Sequence, residues 1–412
     1  MSKIRIKHFG PIQEGFPDEG GWLDIKKVTV FIGNQGSGKS TVAKLISAFM
    51  WAEKSLVRGD YTQEWFEKKS RLKDQLLRYH RLDSYLKYNG SERSALEYEG
   101  EACRILYQNG TLSIEELDRR SYQLPQIMYV PSERNFVAYV KSPKELKLSS
   151  DALMEFLTAF ENAKQHLSGS LPLPVNQTQL EFDKLNDTLN LQGAGYKIGL
   201  TEASSGFLSL VPLYLVSWHL AETVKKQNAS AREPMSSDEL LRFKKGVEEI
   251  WANASLTEEQ RQAALTVLSA RFTKTAFINI VEEPEQNLFP DSQQQLLYSL
   301  LALNNLNSGN KLIMTTHSPY LINFLTLAAK AADLNNQNMS GLDGAKVHQI
   351  VPHAAATPGD DLAVYQFDEQ NGSIRKLPSY NGLPSDAHEL NASLDKSNES
   401  FAELLEIQQQ GL

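Results

Sequence analysis

The eight residues Gly33-Asn34-Gln35-Gly36-Ser37-Gly38-Lys39-Ser40 constrain this chain more than any other feature. They fill the pattern G-x-x-x-x-G-K-[ST]. The apolar run Lys27 to Ile32 precedes them, and Thr41 to Trp51 follows with Val42, Leu45, Ile46 and Phe49 on one helical face. Strand, glycine loop, helix is the setting in which backbone N–H groups and a helix N-terminus converge on phosphate. Gly33 through Thr41 are therefore the expected binding residues, with Lys39 reaching the β- and γ-phosphates of a nucleotide and the Ser40 hydroxyl meeting Mg²⁺.

A phosphate loop alone does not define a mechanism, so the acids matter more. Ala276 to Val281 is an apolar strand that ends in Glu282-Glu283-Pro284. Acids at the carboxyl end of a buried strand lie beside the phosphate loop in doubly wound folds. Glu282 is then the expected Mg²⁺ residue and Glu283 the base that polarises an attacking water. A second such strand, Lys311 to Thr316, ends in His317-Ser318-Pro319, which places a histidine within reach of a γ-phosphate; a structural histidine is the alternative.

These segments resemble a family. Val281 to Pro290 and Thr315 to Tyr320 are similar to the Walker B, D-loop and switch-histidine segments of ABC-type ATPases. The likeness is to the branch that holds chromosome-maintenance and double-strand-break-repair heads, overcoming-lysogenization-defect nucleases, and ATPase subunits of phage-defence systems such as Septu and PARIS. Ile6 to Ile12 resembles the first strand of those heads, and Thr201 to Ser209 resembles the ABC signature loop, with Ser204, Ser205 and Gly206 at its serine and glycine positions.

The resemblance implies an α/β P-loop NTPase, an ABC-ATPase-like head with a helical lobe and a short helix–hairpin insertion. It also implies ATP and Mg²⁺ as cofactors and a homodimer or higher homo-oligomer, in which Ser204 to Gly206 of one copy complete the site of another. A nucleotide-gated head that controls a separately encoded effector in anti-phage defence is the leading functional expectation. Direct action on DNA is the alternative.

Two departures stand out. Glu282 occupies the usual aspartate position, and Pro131-Ser132-Glu133-Arg134 puts serine where the Q-loop glutamine is usual. Glu133 or Arg134 is the candidate replacement, with a surface ion pair as the alternative.

Composition narrows the rest. A formal charge of −8 over 412 residues gives no global pull towards nucleic acid. Any DNA contact needs a local strip such as Lys54, Arg58, Lys68, Lys69, Arg71, Lys73 and Arg78, whose interspersed acids equally suit a solvated helix face. A single cysteine, Cys103, cannot form an intramolecular disulfide or begin a zinc-ribbon pattern. The N-terminus lacks a signal-peptide core, and the apolar stretch Phe207 to Leu220 is interrupted and shorter than the roughly 20 residues of a membrane span. A cytoplasmic protein with no membrane contact is expected.

The expected organisation is an ATPase core from 1–52, 123–148 and 272–380. Residues 53–122 form an inserted helix and β-hairpin, 149–271 a helical lobe with the signature loop, and 381–412 a polar tail. Within these limits the pattern predicts helices over Tyr61 to Tyr88, Asp151 to Leu167, Ser205 to Lys226, Ser237 to Asn253 and Thr257 to Arg271. It predicts a loop over Gln227 to Ser236, a strand over Lys346 to Val351 and hairpins at Asn109-Gly110 and Asn371-Gly372.

Overall fold

The computed structural model describes residues 2–87, 93–118, 122–140, 148–229, 237–253, 272–336, 344–380 and 382–410, with a few residues between 257 and 268. Three strands buried along almost their whole length set its centre. Strand β3 (Val28–Gly33) is buried along its whole length. It pairs in parallel with β13 (Lys311–Thr316) on one side and β14 (Leu362–Phe367) on the other. Strands β12 (Ala276–Glu282), β7 (Pro125–Val130) and β15 (Ile374–Lys376) complete a six-stranded sheet of order β15-β14-β3-β13-β12-β7. Burial on both faces explains the near-continuous apolar runs.

The period-two alternation divides these residues between two cores. Val28, Val30 and Ile32 join Phe277, Val281, Leu312 and Met314 in one core. It is filled by α3 (Asp151–His166), α4 (Ser205–Ala229), α6 (Pro290–Asn304) and α7 (Pro319–Asn336). Phe31, Ile280, Ile313 and Tyr365 face the second core, which holds α1 (Lys39–Arg58) and an antiparallel sheet.

That antiparallel sheet changes the expected organisation. Its order is β2-β1-β4-β5-β6, joining β1 (Lys3–Lys7) and β2 (Leu23–Asp24) to β4 (Ala95–Glu99), β5 (Cys103–Gln108) and β6 (Thr111–Glu116). The first strand thus lies outside the central sheet, and the supposed insertion shares a sheet with it. The β5–β6 turn is the expected Asn109-Gly110, with both residues at positive φ.

Other expectations are also corrected. In place of one helix over Tyr61 to Tyr88 there is a short helix α2 (Gln63–Phe66), a π-turn (Leu72–Leu77) and a 3₁₀ turn (Asp83–Tyr85). Tyr61 stacks on Trp65 with ring centroids 4.1 Å apart, and Phe66 meets Trp51 edge-on; this aromatic packing overrides local propensity.

The lobe carries the expected helices α3, α4 and α5, but also an unexpected four-stranded antiparallel sheet between α3 and α4: β8 (Ser170–Pro172), β9 (Gln179–Asp183), β10 (Thr188–Gly193) and β11 (Tyr196–Gly199). Its strands bury only Leu171, Leu180, Leu189 and Leu191, too sparse a signal to register as a strand period.

Lys346 to Val351 is not a strand but lies largely in α8 (Gly344–Ile350), where Val351 N–H bonds the Val347 carbonyl at 2.9 Å. The buried strand of that region is β14. Its hairpin to β15 turns at Gly372 as expected, with φ of 64°.

Helix α5 (Ser237–Ala252) follows the expectation, and the tail carries helix α9 (Glu389–Gln410). The predicted Gln227–Ser236 loop and Thr257–Arg271 helix fall mostly outside the described residues.

Helix α4 continues through Pro212 to 25 residues, long and apolar enough to cross a membrane. It is a core helix instead, with Leu210, Val211, Leu213, Leu215 and Val216 buried and Ser217 accepting a 2.9 Å bond from Asn279 of β12.

Candidate active site

The carboxyl ends of β3, β13 and β12 lie side by side, and each delivers one expected residue group. At the end of β3 the chain turns through Gly33 at φ 141° and Gly38 at φ 102° into α1. A Cβ at Gly33 would lie 2.5 Å from the Phe367 carbonyl, and one at Gly38 2.4 Å from Ile12. Close approach and positive φ together therefore require glycine at both positions.

Asn34, Gln35 and Gly36 form the exposed tip, while Ser37, Lys39 and Thr41 are buried. The Lys39 ammonium donates to the Gly33 carbonyl at 2.8 Å and the Asn34 carbonyl at 2.7 Å. Burial pushes its pKa down to about 8, against the pull of Glu283, Glu285, Glu389 and Glu369. An ammonium held inside a ring of carbonyls at a helix N-terminus fits a phosphate anion.

Strand β13 separates β12 from β3, so the paired acids stand one strand further from the loop than adjacency would put them. Glu283 sits at φ 44°, a left-handed conformation uncommon outside glycine and characteristic of functional turns. Its N–H bonds the Thr315 carbonyl at 2.9 Å, and its Oε1 is 3.6 Å from Nε2 of His317. The neighbouring His317 imidazole holds the Glu283 carboxyl below the usual range, despite partial burial. Both side chains remain about one-third exposed and accessible to substrate.

Glu282 is buried. Its Oε1 accepts from the Tyr129 hydroxyl and lies 3.6 Å from the Lys44 ammonium, and its Oε2 accepts from Ser132 N–H at 3.2 Å. Lys44 is one turn beyond Ser40 on α1, so the Ser40 hydroxyl lies on the helix face from which Lys44 reaches Glu282. A buried carboxylate and a hydroxyl on that face fit a hard divalent cation.

The Q-loop alternatives resolve differently for the two residues. Glu133 makes a half-exposed ion pair with Arg81 at 3.1 Å. Arg134 is fully buried and donates to the carbonyls of Glu282 and Glu283, both at 2.6 Å.

Ser204, Ser205 and Gly206 start α4 and are largely exposed. Their closest packing is on the segment after the acids: a Cβ on Gly206 would lie 3.0 Å from the Asn287 carbonyl. The structure therefore joins the phosphate loop, the acids and His317 at one sheet edge and sets the signature loop against the residues that follow Glu283.

The sequence reading gave no role to several supporting residues. Tyr129 and Lys44 hold Glu282, while Glu285 accepts from Thr316 Oγ1 at 2.8 Å and His317 N–H at 2.7 Å. Lys44 was detectable as the residue four positions after Ser40; Tyr129 carried no such signal. The expected basic strip is broken up, with Arg58 paired to Asp60 and Glu239, Arg78 to Asp74, and Arg71 over the Trp65 ring.

The AAA ATPase domain family matches residues 260–322, the segment that carries Glu282, Glu283 and His317. With the phosphate loop, this match marks the chain as an ATP hydrolase of the P-loop class. No curated protein matches the sequence.

Among solved structures, the SMC head domain from Thermotoga maritima is similar at 10% identity and a TM-score of 0.38, covering 92% of this chain and 98% of that one. The Smc head with an extended coiled coil from Pyrococcus furiosus gives 10% and 0.36, covering 98% and 100%. A dimeric ATP-binding cassette bound to ADP and Pi gives 12% and 0.27, covering 92% and 100%. Likenesses of this size establish neither a substrate nor a partner.

Proposed function

We propose that this chain binds ATP with Mg²⁺ and hydrolyses it as a nucleotide-gated head that closes on a second copy of itself. The observation that carries the reading is the placement of Glu283 3.6 Å from His317, on strand ends beside the loop that holds Lys39. Lys39 and the loop N–H groups bind the phosphates, and Ser40 and Glu282 would hold the metal. Mg²⁺ supplies charge neutralisation on the β- and γ-phosphates. Glu283, kept ionised by His317, accepts a proton from the water that attacks the γ-phosphorus while the bond from that phosphorus to the β,γ-bridging oxygen breaks and ADP leaves, and His317 steadies the transferred group.

Ser204 and Ser205 are exposed and Gly206 packs on Asn287, and this supports the use of the segment by another copy. The motif resemblance supports a further step, control of a separately encoded effector in an anti-phage defence system. Direct action on DNA gains no support from the divided basic strip.

The test compares mass and phosphate release for wild type and Glu283→Gln, with and without ATP–Mg²⁺. Loss of hydrolysis together with ATP-dependent association is expected, and the trapped mutant should retain its effector. Normal hydrolysis by Glu283→Gln, with a mass indifferent to ATP, would overturn the reading.

A further inference from the structure

Arg134 is a fully buried cation, with no carboxylate in ion-pair contact among the described residues. Its donors go to four backbone carbonyls: Nε to Ser209 at 3.0 Å, one terminal nitrogen to Pro131 at 3.4 Å and Glu282 at 2.6 Å, and the other to Glu283 at 2.6 Å. Burying a guanidinium is costly, and such a group persists where its geometry is needed.

The geometry here is specific. The ladder between β12 and β7 ends at the pair Val281 and Val130. Pro131 follows and offers no N–H, so β7 cannot donate to the carbonyls of the acidic exit. Arg134 supplies the missing donors at the residue whose φ is already strained, Glu283.

The remaining contact, Ser209, is the fifth residue of α4 and the last of the signature-like segment. Pro212 provides no N–H to the Leu208 carbonyl and loosens that turn. Asn287 ties to the same residue, its Nδ2 donating to Ser209 Oγ at 2.9 Å.

We propose that Arg134 is a positioning residue that locks the backbone of Glu283 to the helix bearing Ser204 to Gly206, so that engagement of that helix by a second copy sets the rate of hydrolysis. The inference rests on the paired-head ATPase reading. One planar guanidinium spans both elements. An ammonium, with all its donors on a single nitrogen, cannot.

The test uses the full chain as wild type, Arg134→Lys and Arg134→Gln. Binding of a fluorescent ATP analogue, thermal melting, and phosphate release at saturating ATP over a range of protein concentrations are measured together. Both variants are expected to melt cooperatively and bind nucleotide within about threefold of wild type. Their kcat should fall about a hundredfold, the scale of a small misplacement of a catalytic group. Wild-type specific activity should rise with protein concentration, and that rise should vanish in both variants.

A variant that keeps wild-type kcat and the same concentration dependence overturns the inference. So does loss of binding and turnover in proportion to loss of the cooperative melt, which would make the arginine merely structural. If Glu283→Gln hydrolyses like wild type, or wild-type activity ignores concentration, the underlying reading fails instead.

Discussion

Lys39 is the residue whose ionisation is most exposed to experiment. Burial holds its pKa down to about 8, so the free loop loses its cation as pH rises past that value. Glu283 moves the opposite way, its carboxyl held low by His317, and it stays ionised as the solution becomes mildly acidic. Since kcat/KM reports the free enzyme, it should be level from mild acid to about pH 8 and then fall by about tenfold per unit. Initial rates at limiting ATP measure this, and a level profile far above pH 8 would remove Lys39 as the controlling group. At this scale much of the candidate site was legible, because Gly33 to Thr41, Glu282, Glu283 and His317 each sit in a short contiguous motif. Tyr129, Glu285 and Arg134 were not assigned, because their roles come from contacts between distant segments.

Helices and sheets meet through a few buried polar groups, of which Glu53 on α1 is the clearest. Its carboxylate accepts from Ala102 N–H at 2.6 Å, Cys103 N–H at 3.2 Å and the Tyr98 hydroxyl at 2.8 Å, joining α1 to the antiparallel sheet. Burial raises its pKa, so the folded chain binds that proton more tightly than the unfolded chain does. The resulting stability is present at low pH and lost as pH rises through the folded value. Glu53→Gln should therefore hold stability at neutral pH to within about 1 kcal/mol and flatten its pH dependence, whereas Glu53→Ala should lose about 1–3 kcal/mol by stranding two buried N–H groups. Urea midpoints at several pH values distinguish the two. The buried strands and long apolar helices were legible because their periods are strong. The lobe sheet and the broken helix after Arg58 were not, since one depends on sparse leucines and the other on ring packing between Trp51, Tyr61 and Phe66.

For the molecule as a whole, the phenyl ring of Phe289 is prominent. It is 72% exposed at the start of α6, just after the acidic exit and Asn287. An isolated surface phenylalanine is unremarkable. One beside a signature loop that faces solvent is placed to be covered when two copies close. Phe289→Asp should bind ATP as wild type does yet show no ATP-dependent gain in mass by light scattering; undiminished association would exclude this face.

The position of β3 has a consequence for how the chain is made. The strand that launches the phosphate loop is among the first synthesised, but both strands that flank it, β13 and β14, come from the last third of the sequence. Contacts of such long sequence separation form slowly. On the ribosome β3 must wait, with its apolar faces uncovered, until β13 and β14 have emerged. Nucleotide competence is thus acquired late in synthesis, and a prematurely terminated product carries an intact phosphate-binding motif with no neighbouring strands to shape it.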